Sequence, residues 1–179
     1  MANKQIIFVV ETNDKRRTDD IYIKKLINYY YDLSDNDITY QFVHMGGKGN
    51  FKNKSVATKI NNYKKENLKG QNIIVYCFDT DRIDKDFESV TFLEDAQKFC
   101  KVNGYEFVWF CYEIENVFLG ITVSDENKFK EAISYQKKEN VIDDKIIKNM
   151  SVTDGKQKSN NKSNIILILN KYFKRKAHK

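Results

Sequence analysis

Residues 73–81 of the 179-residue chain read Ile-Ile-Val-Tyr-Cys-Phe-Asp-Thr-Asp, an apolar run that ends in two carboxylates. Residues 6–10 (Ile-Ile-Phe-Val-Val) end in Glu11 in the same way. Residues 107–112 (Phe-Val-Trp-Phe-Cys-Tyr) lead into the acidic stretch 113–116, Glu-Ile-Glu-Asn. Short apolar runs of β-branched and aromatic residues are typical of strands buried on both faces of a parallel sheet. We therefore expect three buried strands, each followed directly by acidic residues.

Helix-like segments separate these runs. Residues 18–32 carry apolar residues at the i, i+3, i+4 spacing of a buried helix face, and Thr18 is the predicted N-cap. Further helices are predicted over residues 54–67 and 89–102, and a further strand over residues 38–44. Strands that alternate with helices indicate βαβ units. We therefore predict an α/β, Rossmann-like fold with a central, mainly parallel sheet of four to five strands flanked by helices.

The C-terminal part of the chain breaks this alternation. We predict a single domain with an α/β core over residues 1–123 and a helical extension over residues 124–179. Ser124 is the predicted N-cap of the first helix of the extension, which runs to about residue 138. Residues 141–150 continue as a helix.

The extension ends in a polar segment and an apolar helix. Residues 151–163 are polar and basic, and we predict that they are flexible. Asn164 opens a helix whose residues 165–169 are all apolar, so this helix must pack on something. The alternatives are the body of its own chain, a second subunit in a homodimer, or a partner chain.

The net charge of +6 is concentrated at the C-terminal end. Residues 151–179 contain eight Lys or Arg and one acidic residue, so the remainder of the chain is close to neutral. A basic segment beside a metal-binding body suggests a polyanionic partner such as nucleic acid. A solubilising tail explains the same charge equally well.

Several classes of protein are excluded or disfavoured by composition. No apolar run approaches the roughly 20 residues of a membrane span, so we expect no membrane association. The first residues lead directly into a strand and do not resemble a signal peptide. Cys77, Cys100 and Cys111 lack paired metal-ligand spacing, and we expect reduced core cysteines of a cytoplasmic protein.

The acidic residues at the strand ends predict a metal site. Ligands of open α/β sheets bind outside the carboxyl ends of the strands, so Glu11, Asp79 and Asp81 are expected to converge. Alternation along the strand would send Asp79 and Asp81 to the same side. Carboxylates that meet repel each other unless a cation lies between them, and oxygen ligands suit Mg²⁺ and Mn²⁺. The alternative is a solvated acidic loop, because charged residues continue through 82–86.

The order of these motifs resembles the Toprim fold, which type IA topoisomerases, bacterial primases, small RNA-maturation nucleases and OLD-type nucleases share. The resemblance covers about residues 5–120 and is carried by residues 8–11, 18–23 and 78–81. Residues 112–119 (Tyr-Glu-Ile-Glu-Asn-Val-Phe-Leu) look like the corresponding acidic segment of OLD-type and RloB-type Toprim proteins.

The resemblance implies a nuclease that cleaves DNA or RNA, for example in bacterial defence. Glu11 would be a metal ligand or general acid/base, and Asp79 and Asp81 would hold Mg²⁺ or Mn²⁺. Glu115 would support a second metal ion. Two metal ions would activate a water for in-line attack on a phosphodiester. OLD-type Toprim domains are joined to an ATPase, so the resemblance also implies a separate ATPase chain as a partner.

The chain departs from the family pattern directly after Glu11. Thr12 replaces the usual glycine, and residues 13–17 lengthen the loop. This favours an alternative function, a non-catalytic Toprim-like module that binds nucleic acid or a partner protein. Other DxD enzymes, such as nucleotide-sugar transferases and phosphate-transferring hydrolases, fit the chain length and the position of the motif less well.

Five basic residues near the predicted site are candidates for contacts with phosphate. The candidates are Lys15, Arg16 and Arg17 in the loop after Glu11, Lys48 in a glycine-rich turn, and Arg82 directly after the DxD motif. Exposed N–H groups of such a turn can approach an anion, although a Walker loop is excluded because no Gly-Lys-Ser/Thr follows. The alternatives are solvated charge for the three loop residues, an ordinary flexible turn at Lys48, and an ion pair of Arg82 with Asp84.

Overall fold

The computed structural model of the chain describes residues 4–34, 37–81, 87–153 and 161–176. Its centre is a four-stranded, all-parallel sheet with the strand order β2-β1-β3-β4. The strands are β1 (Lys4–Val10), β2 (Ile38–His44), β3 (Gln71–Asp79) and β4 (Glu106–Phe110). Helices flank the sheet, so the predicted α/β fold is confirmed and is consistent with a Rossmann-like architecture.

Seven α-helices are assigned in the described part of the chain. They are α1 (Thr18–Tyr30), α2 (Lys54–Glu66), α3 (Phe87–Asn103), α4 (Ile114–Leu119), α5 (Lys128–Lys137), α6 (Asp144–Asn149) and α7 (Ile165–Leu169). A short 3-10 turn, Lys48–Asn50, precedes α2.

Four helix starts differ from the prediction, including α3 at Phe87 in place of residue 89 and α6 at Asp144 in place of residue 141. Thr18 is the first helical residue rather than the N-cap, which is Arg17 in a left-handed conformation with φ 50°. Helix α5 begins at Lys128 and not after Ser124. The Ser124 carbonyl instead accepts the N–H groups of Asn127 and Lys128 in a turn. The predicted flexible segment lies largely outside the described residues, which omit 154–160.

The core lies on both faces of the sheet, as expected for buried parallel strands. Alternate residues of β1 point to opposite sides. Ile6 and Phe8 pack in the cluster that includes α1 and the C-terminal helices. Ile7 and Val9 pack in the cluster that includes α2 and α3.

The C-terminal helix packs on the body of its own chain, where its apolar residues are buried. The Asn164 side chain completes the attachment to β4. Its amide nitrogen donates to the Phe107 carbonyl at 2.9 Å, and its oxygen accepts the Trp109 N–H at 3.0 Å. The Cys111 N–H likewise donates to the Lys162 carbonyl at 2.9 Å. The extension thus covers the open edge of β4. A homodimer contact through α7 stays a prediction.

The strand order creates a crevice at the carboxyl ends of β1 and β3. The chain leaves β1 toward β2 on one side and later returns to form β3 on the other side. Such a switch point is where open α/β sheets bind ligands. No helix within the described residues is both long enough and apolar enough to cross a membrane.

Candidate functional site

Glu11 and Asp79 meet at this crevice. Glu11 directly follows β1, and its Oε1 accepts the backbone N–H of Asp79 at 2.8 Å. Burial raises the pKa of Glu11 to about 8 against the opposing effect of this hydrogen bond. The nearby charges of Asp19 and Asp81 add to the rise. Glu11 is therefore held at the base of the crevice in an environment that disfavours its negative charge.

Asp79 joins the end of β3 to the start of α4. Its Oδ1 accepts the N–H of Ile114 at 2.9 Å, the first residue of that helix. Burial raises the pKa of Asp79 well above its usual range, and the charges of Glu11, Asp19 and Glu115 raise it further. The direction of the shift shows that several carboxylates compete for negative charge in one place.

Glu115 enters the crevice from the first turn of α4. Glu115 is 1% exposed, and the Oε2 atom of its side chain has no hydrogen-bond partner among the described residues. Burial raises the pKa of Glu115 to about 7, although the positive charge of Lys128 acts in the opposite direction. A buried carboxylate oxygen without a partner costs free energy, so a ligand at this position would be favourable.

Asp19 is a further acidic residue of the site that was not among the predicted site residues. It lies in the first turn of α1, where its Oδ2 accepts the Thr12 N–H at 3.3 Å. Burial raises the pKa of Asp19 to about 6. The feature of the sequence that could have pointed to this residue is the acidic pair Asp19 and Asp20 at the start of the helix that follows β1.

These four carboxylates line one cleft of about 260 Å³, which we name the carboxylate cleft. Its lining residues are Glu11, Thr12, Asn13, Arg16, Thr18, Asp19, Gly46, Gly47, Asp79, Glu115, Asp125 and Lys128. The Gly47 N–H donates to the Glu11 carbonyl at 2.8 Å, and this close approach uses a φ of 124° that favours glycine. The hydroxyl of Thr12 is buried and has no hydrogen-bond partner within the described chain.

The donor set of the cleft fits a divalent cation that prefers oxygen. Within residues 4–34, 37–81, 87–153 and 161–176, no group of three or more His, Cys, Asp or Glu side chains is arranged to hold a metal ion. The oxygen donors of the cleft are nevertheless of the kind that such cations prefer. They are carboxylates, and the buried Oε2 of Glu115 has no hydrogen-bond partner within the described residues.

Asp81 is not among the residues that line the carboxylate cleft. Strand β3 ends at Asp79, and the backbone of Asp81 is left-handed with φ 48°. The alternation expected for the two aspartates is therefore interrupted. The Asp81 carboxylate, whose side chain is 44% exposed, forms an ion pair with Lys48. The Lys48 ammonium also lies 5.1 Å from the ring centroid of Phe92.

The predicted basic contacts are distributed around the cleft. Arg16 lines it, while Lys15 and Arg17 are exposed in the same loop. The Arg17 Nε donates to the Asp14 carbonyl at 2.9 Å within that loop. Lys48 lies beside the cleft, next to Gly47. Arg82 lies outside the described residues.

Lys128, like Asp19, lines the cleft but was not among the predicted site residues. It comes from α5, in the extension that the Toprim resemblance does not cover. Its ammonium lies 3.0 Å from Glu113 Oε1 and 3.2 Å from Asp125 Oδ1. Burial lowers the pKa of Lys128, but the charge of Glu115 and the contacts with Glu113 outweigh it and give a net rise. Lys128 is therefore a firmly charged cation beside the carboxylates.

The arrangement places buried oxygen ligands next to a fixed cation and an exposed arginine. Such a site can hold a divalent cation at its base and an anionic group at its rim. Comparisons of the chain with protein-family models, with curated proteins and with solved structures found no match.

Proposed function

We propose that the protein is a Mg²⁺- or Mn²⁺-dependent nuclease that cleaves phosphodiester bonds of DNA or RNA by a Toprim-type mechanism. The main support is the convergence of Glu11, Asp79 and Glu115 at the switch point of the sheet. Burial raises the pKa of all three carboxyl groups, and repulsion by the charge of Asp19 adds to the rise at each of them. A divalent cation among them would remove this repulsion.

The cation would be held by Glu11, Asp79 and Glu115, with Asp19 beside them. The chemistry that bound Mg²⁺ or Mn²⁺ supplies is activation of a water and stabilisation of charge on the phosphate. Lys128, which lines the same cleft, would stabilise this developing charge, since its ammonium is fixed by Glu113.

Arg16 would bind a backbone phosphate at the rim of the cleft, with Lys15 and Arg17 beside it. Lys48 would do the same on the side of the glycine-rich turn. A ligand role for Asp81 requires its carboxylate to leave Lys48, and that ion pair gives Asp81 a second role, the positioning of the lysine.

The wider setting that we propose follows from the same resemblance. It includes a nucleic-acid partner, a separate ATPase or other protein chain, and a role in bacterial defence. Cys77, Cys100 and Cys111 are buried and free, which supports a reducing compartment and hence a cytoplasmic location.

The second candidate function is a non-catalytic module that keeps the fold and binds nucleic acid or a partner protein. Two observations favour it. Thr12 stands in the cleft where related nucleases usually have glycine, and the Asp81 carboxylate is already occupied by Lys48.

A cleavage assay separates the two functions. Plasmid DNA, single-stranded DNA and structured RNA are each incubated with Mg²⁺, Mn²⁺ or EDTA. The Asp79→Asn variant is compared with Glu94→Gln, a matched change at an exposed residue of α3. Metal-dependent cleavage that Asp79→Asn lowers about 100-fold or more supports the nuclease. Metal binding without cleavage of any substrate supports the non-catalytic module.

A further inference from the structure

A buried histidine lies between two carboxylates outside the carboxylate cleft. His44 is the last residue of β2 and is 7% exposed. Its Nδ1 lies 2.9 Å from Asp14 Oδ1, and its Nε2 lies 2.9 Å from Asp20 Oδ1. Asp14 belongs to the loop after Glu11, whereas Asp20 belongs to α1. The imidazole therefore connects three separate elements of the fold.

Both hydrogen bonds require the imidazolium form of His44. An ionised carboxylate only accepts hydrogen bonds, so each ring nitrogen must carry a proton to donate. Burial lowers the pKa of His44, but the hydrogen bonds and charges of Asp20 and Asp14 outweigh it and give a net rise. The geometry and the charge environment thus agree on the protonation state.

Two lysines also lie against these carboxylates, and Asp19 adds a negative charge near Asp20. The Lys59 ammonium of α2 lies 2.8 Å from Asp14 Oδ2 and 3.4 Å from the His44 carbonyl. The Lys24 ammonium of α1 lies 3.8 Å from Asp20 Oδ2. Lys59 thus binds the second oxygen of Asp14, and Lys24 lies in ion-pair range of the second oxygen of Asp20. The imidazolium lies between the two carboxylates.

The loop of residues 12–17 is the element that this histidine can control. Within the loop, Asn13 Oδ1 accepts the N–H groups of Lys15 and Arg16, each at 3.0 Å. These bonds make a compact turn but do not attach its tip to the body. The Asp14 side chain provides that attachment, because it contacts His44 and Lys59. The same loop brings Arg16 to the carboxylate cleft.

We propose that His44 is a positioning residue whose imidazolium joins Asp14 to Asp20 and thereby holds Arg16 at the rim of the carboxylate cleft. Deprotonation removes one of the two donors, so one carboxylate then faces a lone pair and the attachment of the loop weakens, although Lys59 still contacts Asp14. Tight nucleic-acid binding therefore holds below the pH at which His44 loses its proton and weakens above it. This consequence rests on the proposed function, whereas the attachment of the loop does not.

The attachment is tested by NMR without nucleic acid. His178 is the only other histidine, so the His178→Gln variant leaves one imidazole signal to follow against pH. We expect His44 to titrate above 6.5, the ordinary value, and the amides of Arg16 and Arg17 to gain mobility over the same pH range. Asp14→Asn should mobilise these amides at low pH already. Titration at or below 6.5, or loop mobility that ignores pH, overturns the proposal.

The consequence for binding is tested separately with fluorescent single-stranded DNA and RNA oligonucleotides in EDTA. We expect Asp14→Asn to weaken binding about tenfold at pH 6, as the loss of one well-placed charged contact does. The matched control is Asp95→Asn, which removes another surface partner of a lysine. If Asp14→Asn, Asp95→Asn and the wild type bind the oligonucleotides with equal affinity, the role of the His44–Asp14 contact in binding is overturned. Wild-type protein that binds no oligonucleotide contradicts the proposed function, while the NMR result still decides the attachment.

Discussion

The side chain of Glu11 accepts the backbone N–H of Asp79 at 2.8 Å, across 68 positions of sequence. This hydrogen bond joins the carboxyl ends of β1 and β3, the two strands between which the order of the strands reverses. It fixes one oxygen of Glu11 and leaves the other for a ligand. Glu11 and Asp79 thus form the base of the carboxylate cleft, and the other residues of the site are arranged around them.

The metal-free protein should lose stability as pH rises. Glu11 has an ordinary pKa of 4.5 and a pKa of about 8 in the folded chain, so the folded state binds more protons between these values. Stability therefore falls as pH rises through this window. We expect the melting temperature in EDTA to drop by about 5 °C or more between pH 5 and pH 8.5.

Added Mn²⁺ should restore the lost stability at pH 8.5 and have little effect at pH 5, where protons compete with the cation. Differential scanning fluorimetry across this pH range measures both effects. A melting temperature that rises with pH in EDTA would show that the cleft carboxylates are not buried acids.

Glu115→Gln should stabilise the metal-free protein. The change removes a buried charge that has an oxygen without a partner, and Lys128 keeps its contacts with Glu113 and Asp125. We expect a higher melting temperature in EDTA at pH 8 and a smaller gain on addition of Mn²⁺. Glu94→Gln, at an exposed site, should change neither quantity. A destabilised Glu115→Gln variant would assign this side chain a structural role instead.

Lys128→Met should slow cleavage without weakening metal binding. In the proposed mechanism the ammonium would stabilise charge on the substrate and would repel a cation, so its removal would act on the chemical step. We expect a loss of about 100-fold in cleavage rate and unchanged or tighter Mn²⁺ binding. Lys130→Met, at an exposed position of the same helix, is the control. The prediction fails if both lysine variants cleave equally well.

Asn164→Ala should destabilise the whole domain. The change leaves the Phe107 carbonyl and the Trp109 N–H without their side-chain partner at the edge of β4. Each buried group that loses its partner costs about 1–3 kcal/mol, so we expect about 2–4 kcal/mol from urea unfolding. Asn61→Ala, on the exposed face of α2, should stay within about 0.5 kcal/mol of wild type. A small effect at Asn164 would show that the edge of β4 does not need this cover.

Strands β1, β3 and β4 were predictable because each contains a continuous apolar run. Glu11 and Asp79 were predicted to converge because both directly follow such runs, and the structure places them in contact. The position of Asp81 was not predictable from alternation, since its left-handed backbone is a local choice that aspartate tolerates. The site contribution of Lys128 depends on how α5 packs, and no local pattern in the sequence encodes that contact.

The most direct test of the central claim is calorimetric titration of Mn²⁺ into the wild-type protein and the Asp79→Asn variant at pH 8. If the carboxylate cleft is a divalent-cation site, the wild type binds Mn²⁺ saturably and releases protons, because its carboxyl groups must ionise. The variant then binds at least about tenfold more weakly. Absence of saturable binding to the wild type, or equal binding by the two proteins, would contradict the account.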